Sequence, residues 1–327
     1  MVHLLCCDWG TSSFRLWLVK AENAAIAALE KSDQGIAATF SSLDEKQKAD
    51  PEERRHFYLR VIQQHIQALE QEENISLDGV PLLLSGMASS SIGMAELPYK
   101  SLPFSTDGTD IGAAYFEATT SFAHPVLLIS GVRSDTDVMR GEETQLIGSS
   151  PGNTAEAEGL YIFPGTHSKH IWVKNGLAYR FETYMTGEFF ELLSKESILR
   201  VGVERNEELR SPKSLQSFKE GVQAARGTNL LHMAFSVRTN GLFGKRSKKE
   251  NFHYLSGLLI GAELQSLHPA DFPKVYIGAD DKLRFRYETA LEVLGMQCKI
   301  QSFTGQWAEE AVVRGQLKIY RQFIHNT

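Results

Sequence analysis

Two short stretches join a glycine to hydroxyl side chains in a way that suits phosphate oxygens. One reads Gly10-Thr11-Ser12-Ser13 and runs into Phe14-Arg15-Leu16-Trp17-Leu18-Val19-Lys20. The other reads Gly165-Thr166-His167-Ser168 and runs into Lys169-His170-Ile171-Trp172-Val173-Lys174. Each follows an apolar run, Leu4-Leu5-Cys6-Cys7 and Leu160-Tyr161-Ile162-Phe163. Strand, tight turn and strand make a hairpin whose tip presents backbone N–H groups and hydroxyls. Glycine lets an anion approach that backbone closely. One such tip alone is an ordinary hairpin turn. Two of them, in two halves of a chain, point to a nucleotide held between related domains. The copies differ in one respect: Asp8 precedes the first turn, whereas Phe163-Pro164 precedes the second. The first is therefore expected to manage a metal and the second to grip phosphate.

The elements that must position these turns repeat as well. Strands are expected over 2–7, 14–20 and 24–29. A polar loop follows. Asp50-Pro51-Glu52-Glu53 is a helix start with an Asp N-cap and Pro at the first helical position. Phe57, Val61, Ile62, Ile66 and Leu69 then form an apolar stripe at helical spacing. Strands over 80–85 and 126–130, with a short helix over 112–121 between them, complete the first half. Ser149-Ser150-Pro151-Gly152-Asn153 reads as a linker. The pattern then restarts, with strands over 160–163, 169–174 and 178–183. Helices over 187–199, 215–225 and 252–267 come next. A strand over 275–278, a helix over 283–294, a strand over 298–303 and a last helix over 306–324 end the chain. The spacing thus predicts domains over 1–148 and 149–327.

Bulk composition narrows the class. The chain has 327 residues, enough for two cores, with 42% apolar and 23% charged residues. A net charge of −6 argues against a nucleic-acid-coating surface. Lys245-Arg246-Ser247-Lys248-Lys249 is the one basic cluster and reads as a solvated loop before a helix. Three cysteines without CxxC spacing suggest neither a zinc site nor a disulfide framework. No run approaches the roughly 18 apolar residues of a membrane span. The N-terminal residues do not read as a signal peptide, so the expected location is cytoplasmic, with no membrane partner.

The motifs resemble those of a known superfamily. Asp8-Trp9-Gly10-Thr11-Ser12 looks like the first phosphate motif of the actin-like ATPases, which include sugar kinases, hexokinases and heat-shock ATPases. Pro164-Gly165-Thr166-His167 looks like the second, and Tyr276-Ile277-Gly278-Ala279 before a helix resembles the adenosine motif. The chain is more closely similar to the 2-dehydro-3-deoxygalactonokinase family. That resemblance rests on Asp8–Ser12 with Arg15 and Trp17, and on Ser85-Gly86-Met87 through Gly93 to Pro98-Tyr99. It continues in Val138-Met139-Arg140-Gly141-Glu142-Glu143-Thr144-Gln145-Leu146-Ile147-Gly148 and Pro164–Lys169. Met185-Thr186-Gly187-Glu188 and Ser256-Gly257-Leu258-Leu259-Ile260-Gly261-Ala262-Glu263 complete it. The sequence departs from the family pattern at Met94, where a Trp is expected, and at Asp280-Asp281, where small or hydroxyl residues are usual.

The resemblance implies an α/β protein of two ribonuclease H-like (actin-like ATPase) domains with duplicated βββαβαβα topology and an interdomain cleft. It implies ATP-dependent phosphorylation of the terminal 6-hydroxyl of 2-dehydro-3-deoxy-D-galactonate, with ATP and Mg²⁺ as cofactors. A homodimer is compatible with it. Asp8 would hold Mg²⁺. Gly10, Thr11 and Ser12 would contact the phosphates from one side, and Gly165, Thr166 and His167 from the other, with Gly278 and Ala279 at the adenosine. Phosphoryl transfer also needs a carboxylate to accept the hydroxyl proton. Glu142 is the first candidate, because Gly141-Glu142-Glu143 stands where glycerol-kinase-like relatives carry Gly-Asp-Gln. Glu143 is second and Asp137 third, although two acids can equally start a helix. Arg15 and Arg140 are candidates for the substrate carboxylate, with Gly86, Met87, Ser89, Ser90 and Glu188 around the sugar. Either Arg could instead form an ordinary salt bridge, and Glu188 could be a simple first-turn acid. Lys169 could reach a phosphate but reads more readily as a solvated strand residue. Gly257 and Gly261 read as packing glycines. Alternatives are a kinase of another sugar acid and a non-kinase actin-like ATPase. Nothing in the chain resembles a partner-binding module or leaves room for a DNA-binding head.

Overall fold

The structure, a computed structural model, describes residues 3–150, 157–296, 299–303 and 305–326. The central part of the expected linker, Pro151–Asn153, and Cys298 lie outside the described residues. The chain forms two compact units. The first contains 1–157, 173–180 and 307–327; the second contains 158–172 and 181–306.

In the first unit, β1 (His3–Trp9), β2 (Phe14–Lys20) and β3 (Ile26–Ser32) form an antiparallel meander. Three helices follow: α1 (Ile36–Ser41), α2 (Glu45–Ala49) and α3 (Pro51–Glu73). Asp50 caps α3 by accepting from the N–H groups of Glu52 and Glu53, and Asn74 ends it at φ 52. Its buried face is Tyr58, Ile62, Ile66 and Leu69, one position away from the expected stripe at Phe57 and Val61, which are partly buried. Next come β4 (Leu82–Gly86), the two-residue β5 (Lys100–Ser101) and β6 (Phe104–Ser105), β7 (Ala113–Phe116) and β8 (Val126–Ile129). The sheet order is β3-β2-β1-β4-β8-β7, with β1, β4 and β8 parallel. The short β9 (Val132–Arg133) and β10 (Val138–Met139) lead to α4 (Glu142–Ser149).

Two expectations fail here. The segment over 112–121 is not a helix: Tyr115 and Phe116 are strand formers, and β7 pairs antiparallel with β8 along the sheet edge. The polar loop after β3 instead holds α1 and α2.

The second unit is built on β11 (Gly159–Phe163), β12 (Ser168–Lys174) and β13 (Leu177–Tyr184). Helices α5 (Thr186–Glu191), α6 (Pro212–Ala224), α7 (Leu230–Ala234), α8 (Ser236–Leu242) and α9 (Lys248–Leu264) follow. Then come β14 (Lys274–Gly278), α10 (Asp281–Val293), β15 (Lys299–Phe303) and α11 (Gly305–Asn326). The sheet order is β15-β14-β11-β12-β13-β6, again with a parallel half. The helix expected over 187–199 is shorter: α5 gives way to a wide turn at Leu192–Glu196 and a tight one at Ile198–Gly202. Gly257 and Gly261 lie where α9 crosses α6; a Cβ on Gly257 would stand 2.1 Å from the Phe218 carbonyl oxygen. The basic cluster is less solvated than its composition suggests. Arg246 pairs with Glu220 and covers the Tyr254 ring at 4.3 Å, while Ser247 caps α9.

The hairpin end over 173–180 and most of α11 belong with the first unit, unlike the division at 148 read from sequence. Leu177 and Ala178 pair with β6. Helix α11 crosses α4 at near-zero clearance. A Cβ on Gly148 would lie 1.7 Å from the Ala311 carbonyl oxygen, and one on Gly315 would lie 1.9 Å from that of Thr144. Among the described residues, no helix is long and apolar enough to cross a membrane.

Candidate active site

Asp8 lies near the end of β1, in register with Arg15 on β2 and Ser85 on β4. The cross-strand register puts Asp8 and Arg15 on one face, and Arg15 Nη1 stands 3.6 Å from Asp8 Oδ2. Gly86 sits at φ +84 immediately beside them; a Cβ there would meet the Trp9 carbonyl oxygen at 2.7 Å and Asp8 Oδ1 at 3.0 Å. Burial pushes the Asp8 carboxyl up to about 6; Arg15 opposes this and the charge of Glu142 adds to it. A carboxylate so placed, with a second acid near enough to raise it, is suited to a divalent cation. Among the described residues there is no cluster of three or more acids, His or Cys. A Mg²⁺ ion at Asp8 would keep several of its waters.

The strand ends are braced from below by α11. The Gln316 side chain is fully buried, and its Nε2 donates to the Cys7 carbonyl oxygen at 2.7 Å and to Ser85 Oγ at 2.8 Å. Gln316 thereby joins the two residues flanking Asp8 along and across the sheet. Sequence reading missed it, since only the fold brings residues 309 apart together.

The three candidate bases separate clearly. Glu142 is half-buried at the start of α4, with Oε2 accepting from the Arg140 N–H at 3.1 Å. Glu143 is fully buried, and both its oxygens accept from the Gly141 N–H. Burial pushes its carboxyl up to about 8, and the Glu142 charge adds to the rise. Asp137 is tied into the turn before β10, where Oδ1 accepts from the Val138 N–H at 2.7 Å.

Arg140 contacts one residue expected around the sugar acid, Ser89. Its Nη1 donates to the Ser89 carbonyl oxygen and to Ser89 Oγ, and its guanidinium covers the Tyr99 ring at 4.1 Å. Ser90 turns back on Met87 through a 2.7 Å bond, closing a tight turn over Met87–Ser89. Arg15 is engaged with Asp8. Met94 is buried in the core of the first unit.

The first turn leaves Thr11 and Ser12 exposed and is closed by Gly10 N–H donating to the Ser13 carbonyl oxygen at 2.9 Å. Gly35 presses on its back: a Cβ there would lie 2.3 Å from the Thr11 carbonyl oxygen. The N–H groups of Ile36 and Ala37 then donate to the carbonyls of Gly10 and Thr11.

The second unit uses the same device. A Cβ on Gly187 would lie 2.5 Å from the Gly165 carbonyl oxygen, and Glu188 N–H donates to that of Thr166 at 3.0 Å. Gly35 was missed in the sequence. The signal was there, because a glycine follows the third strand in both halves.

Around the second turn, His167 Nε2 meets Glu188 Oε2 at 2.6 Å in a partly exposed pair. Lys169 is buried rather than solvated. The turn borders a cavity of about 340 Å³. Gly165 and Thr166 line one part, with Thr186 and Gly187 of α5; Ser256 of α9 and Arg286 of α10 line another. Burial pulls Arg286 down to about 10, and its Nη1 donates to Ser256 Oγ at 3.1 Å. Gly278 and Ala279 are buried and do not line this cavity; the helix after them does. Asp280 caps that helix by accepting from the N–H groups of Lys282 and Leu283, and Asp281 pairs with Arg284 at 2.8 Å. The two acids at the adenosine motif thus have local partners.

The chain is 29% identical over 318 residues to the 2-dehydro-3-deoxygalactonokinase of Escherichia coli (strain K12), covering 94% of both chains. A crystal structure assigned as a 2-dehydro-3-deoxygalactonokinase of Sinorhizobium meliloti superposes with a TM-score of 0.78 at 26% identity, covering 97% of this chain and 96% of that one. Component A of (R)-2-hydroxyglutaryl-CoA dehydratase from Acidaminococcus fermentans shares the fold at a TM-score of 0.51, 12% identity and 98% coverage of both chains. The model of the 2-keto-3-deoxy-galactonokinase family matches residues 8–319, and the chain belongs to that family.

Proposed function

We propose that this protein is an ATP-dependent kinase that phosphorylates the terminal 6-hydroxyl of 2-dehydro-3-deoxy-D-galactonate. The observation that carries the reading is family membership over 8–319. Phosphoryl transfer needs positioning and charge neutralisation more than covalent chemistry, and the residues present offer both. Asp8 holds Mg²⁺, whose charge offsets that of the phosphate oxygens. Thr11 and Ser12 on one turn, and Thr166 and His167 on the other, offer hydroxyls and N–H groups to phosphate. The cavity beside Gly165 takes the nucleoside, with Arg286 as a donor that sequence reading missed. Glu142 accepts the proton of the attacking hydroxyl, because Glu143 spends both oxygens on the start of its own helix. Arg140, stacked on Tyr99, binds the substrate carboxylate. A cytoplasmic location goes with ATP as substrate and with buried, free Cys6 and Cys7.

The test is ATP turnover with Mg²⁺ across a panel of 2-keto-3-deoxy sugar acids. Turnover is expected to require the galactonate derivative. Hydrolysis indifferent to every sugar acid would overturn the kinase, and preference for another member would overturn the substrate.

A further inference from the structure

Behind the second phosphate turn, four elements meet on one carboxylate. Glu263 of α9 is 3% exposed and receives three donors. His170 Nε2 on β12 lies 2.9 Å from Oε1, and Tyr287 OH on α10 donates to Oε2 at 2.8 Å. Thr186 Oγ1 at the start of α5 donates to Oε2 as well. Tyr287 OH also stands 3.0 Å from Ser168 Oγ, which accepts from the Gly165 N–H at 3.4 Å. Since Tyr287 gives its hydrogen to Glu263, Ser168 must donate to Tyr287. The bonds then run in one direction, from the Gly165 N–H through Ser168 and Tyr287 into the carboxylate. On the other side, Thr186 precedes the glycine that presses on Gly165. Both flanks of the turn therefore end on Glu263.

We propose that Glu263 is a positioning residue for the nucleotide phosphates: it sets the backbone of the Gly165–Ser168 turn through Tyr287 and Thr186 without touching the ligand itself. The inference rests on the kinase reading only for what the turn binds. A buried carboxylate with several donors over-determines geometry, because each donor left without it would be buried and unpaired. A group that merely held the core together would act on the unit as a whole. Glu263 instead acts on one turn, because its donors lie on that turn's supports.

Two variants test this. Glu263→Gln replaces an acceptor oxygen by a donor. Tyr287→Phe keeps the packed ring and cuts the link to Ser168, and it serves where Glu263→Gln does not fold. Both should accelerate amide hydrogen exchange at 165–168 in the protein without ligand, while peptides from β14 and α6 keep wild-type rates. Both should also lower kcat/KM for ATP by roughly 10 to 10²-fold through KM, leaving KM for the sugar acid unchanged. Wild-type exchange at 165–168 in a folded variant would overturn the inference, as would acceleration spread evenly over the second unit. The exchange measurement uses neither substrate. Failure of the wild-type protein to turn over any sugar acid would thus sink the kinase reading, while the role of Glu263 in holding the turn would still stand or fall on exchange alone.

Discussion

The two Gly-Thr turns share a sequence pattern, a backing glycine and an N–H donated into the turn, yet their further supports differ. The first is fixed by backbone: Gly10 closes on Ser13, and Ile36 and Ala37 donate to its carbonyls. The second has the Glu188 N–H bond to Thr166 and, in addition, side chains that lead through Ser168 and Tyr287 to Glu263. Each unit also buries a glutamate. Glu143 in the first is pushed up to about 8, whereas Glu263 in the second collects three side-chain donors. A duplicated element thus keeps its backbone geometry while its support is free to diverge. Here the divergence leaves a mostly buried carboxylate, Asp8, beside the first turn and places one, Glu263, behind the second.

Substitutions around the two turns put this contrast at risk, the most damaging first. Glu142→Gln should lower kcat by about 10²–10⁴-fold with nucleotide binding retained. A wild-type rate would move the base to Glu143 or Asp137. Asp8→Asn should lower kcat by about 10²–10³-fold and raise the Mg²⁺ concentration needed for half-maximal rate; an unchanged Mg²⁺ dependence would remove the metal from the first turn. Gly35→Ala and Gly187→Ala each force backbone to shift, and each should cost roughly 10 to 10²-fold in kcat/KM for ATP. The first should act through kcat, because it disturbs the turn beside Asp8, and the second through KM. Identical signatures would erase the proposed division of labour between the turns.

A milder effect concerns stability against pH. The folded chain keeps the Glu143 proton up to about pH 8, whereas an unfolded chain releases it near the ordinary value of 4.5. The stability this group contributes is therefore complete at low pH and is lost as pH rises through that window. Glu143→Gln should flatten the decline in melting temperature between about pH 5 and pH 8. A parallel decline in both proteins would place the titration elsewhere.

Much of this was readable in the chain. Strands showed as apolar alternation, α3 as an Asp-Pro start, and the fold class as an element order that occurs twice. What stayed hidden depends on partners distant in sequence. Helix α1 has no side-chain cap and is started by carbonyls of the first turn. Strand β7 exists because β8 offers an edge. Helix α2 is a different kind of miss: Asp44 and Gln47 form a reciprocal cap that was visible in the sequence. At the candidate site, residue types in the motifs pointed to the turns and acids, but not to their supports. Gln316 and Arg286 lie on helices whose patterns report only burial, while Glu263 ended a motif quoted from the sequence without a role assigned to it.

Helix α11 also bears on how the molecule comes to be made. Every residue of the second unit has been synthesised by position 306, whereas the first unit needs the final stretch from 307 onward. The bonds from Gln316 to Cys7 and Ser85 span separations of 309 and 231 residues. On the ribosome, where domains fold as units during synthesis, the second unit is complete while the first still lacks a helix. The strand ends beside Asp8 are therefore braced only after the whole of the second unit has been made.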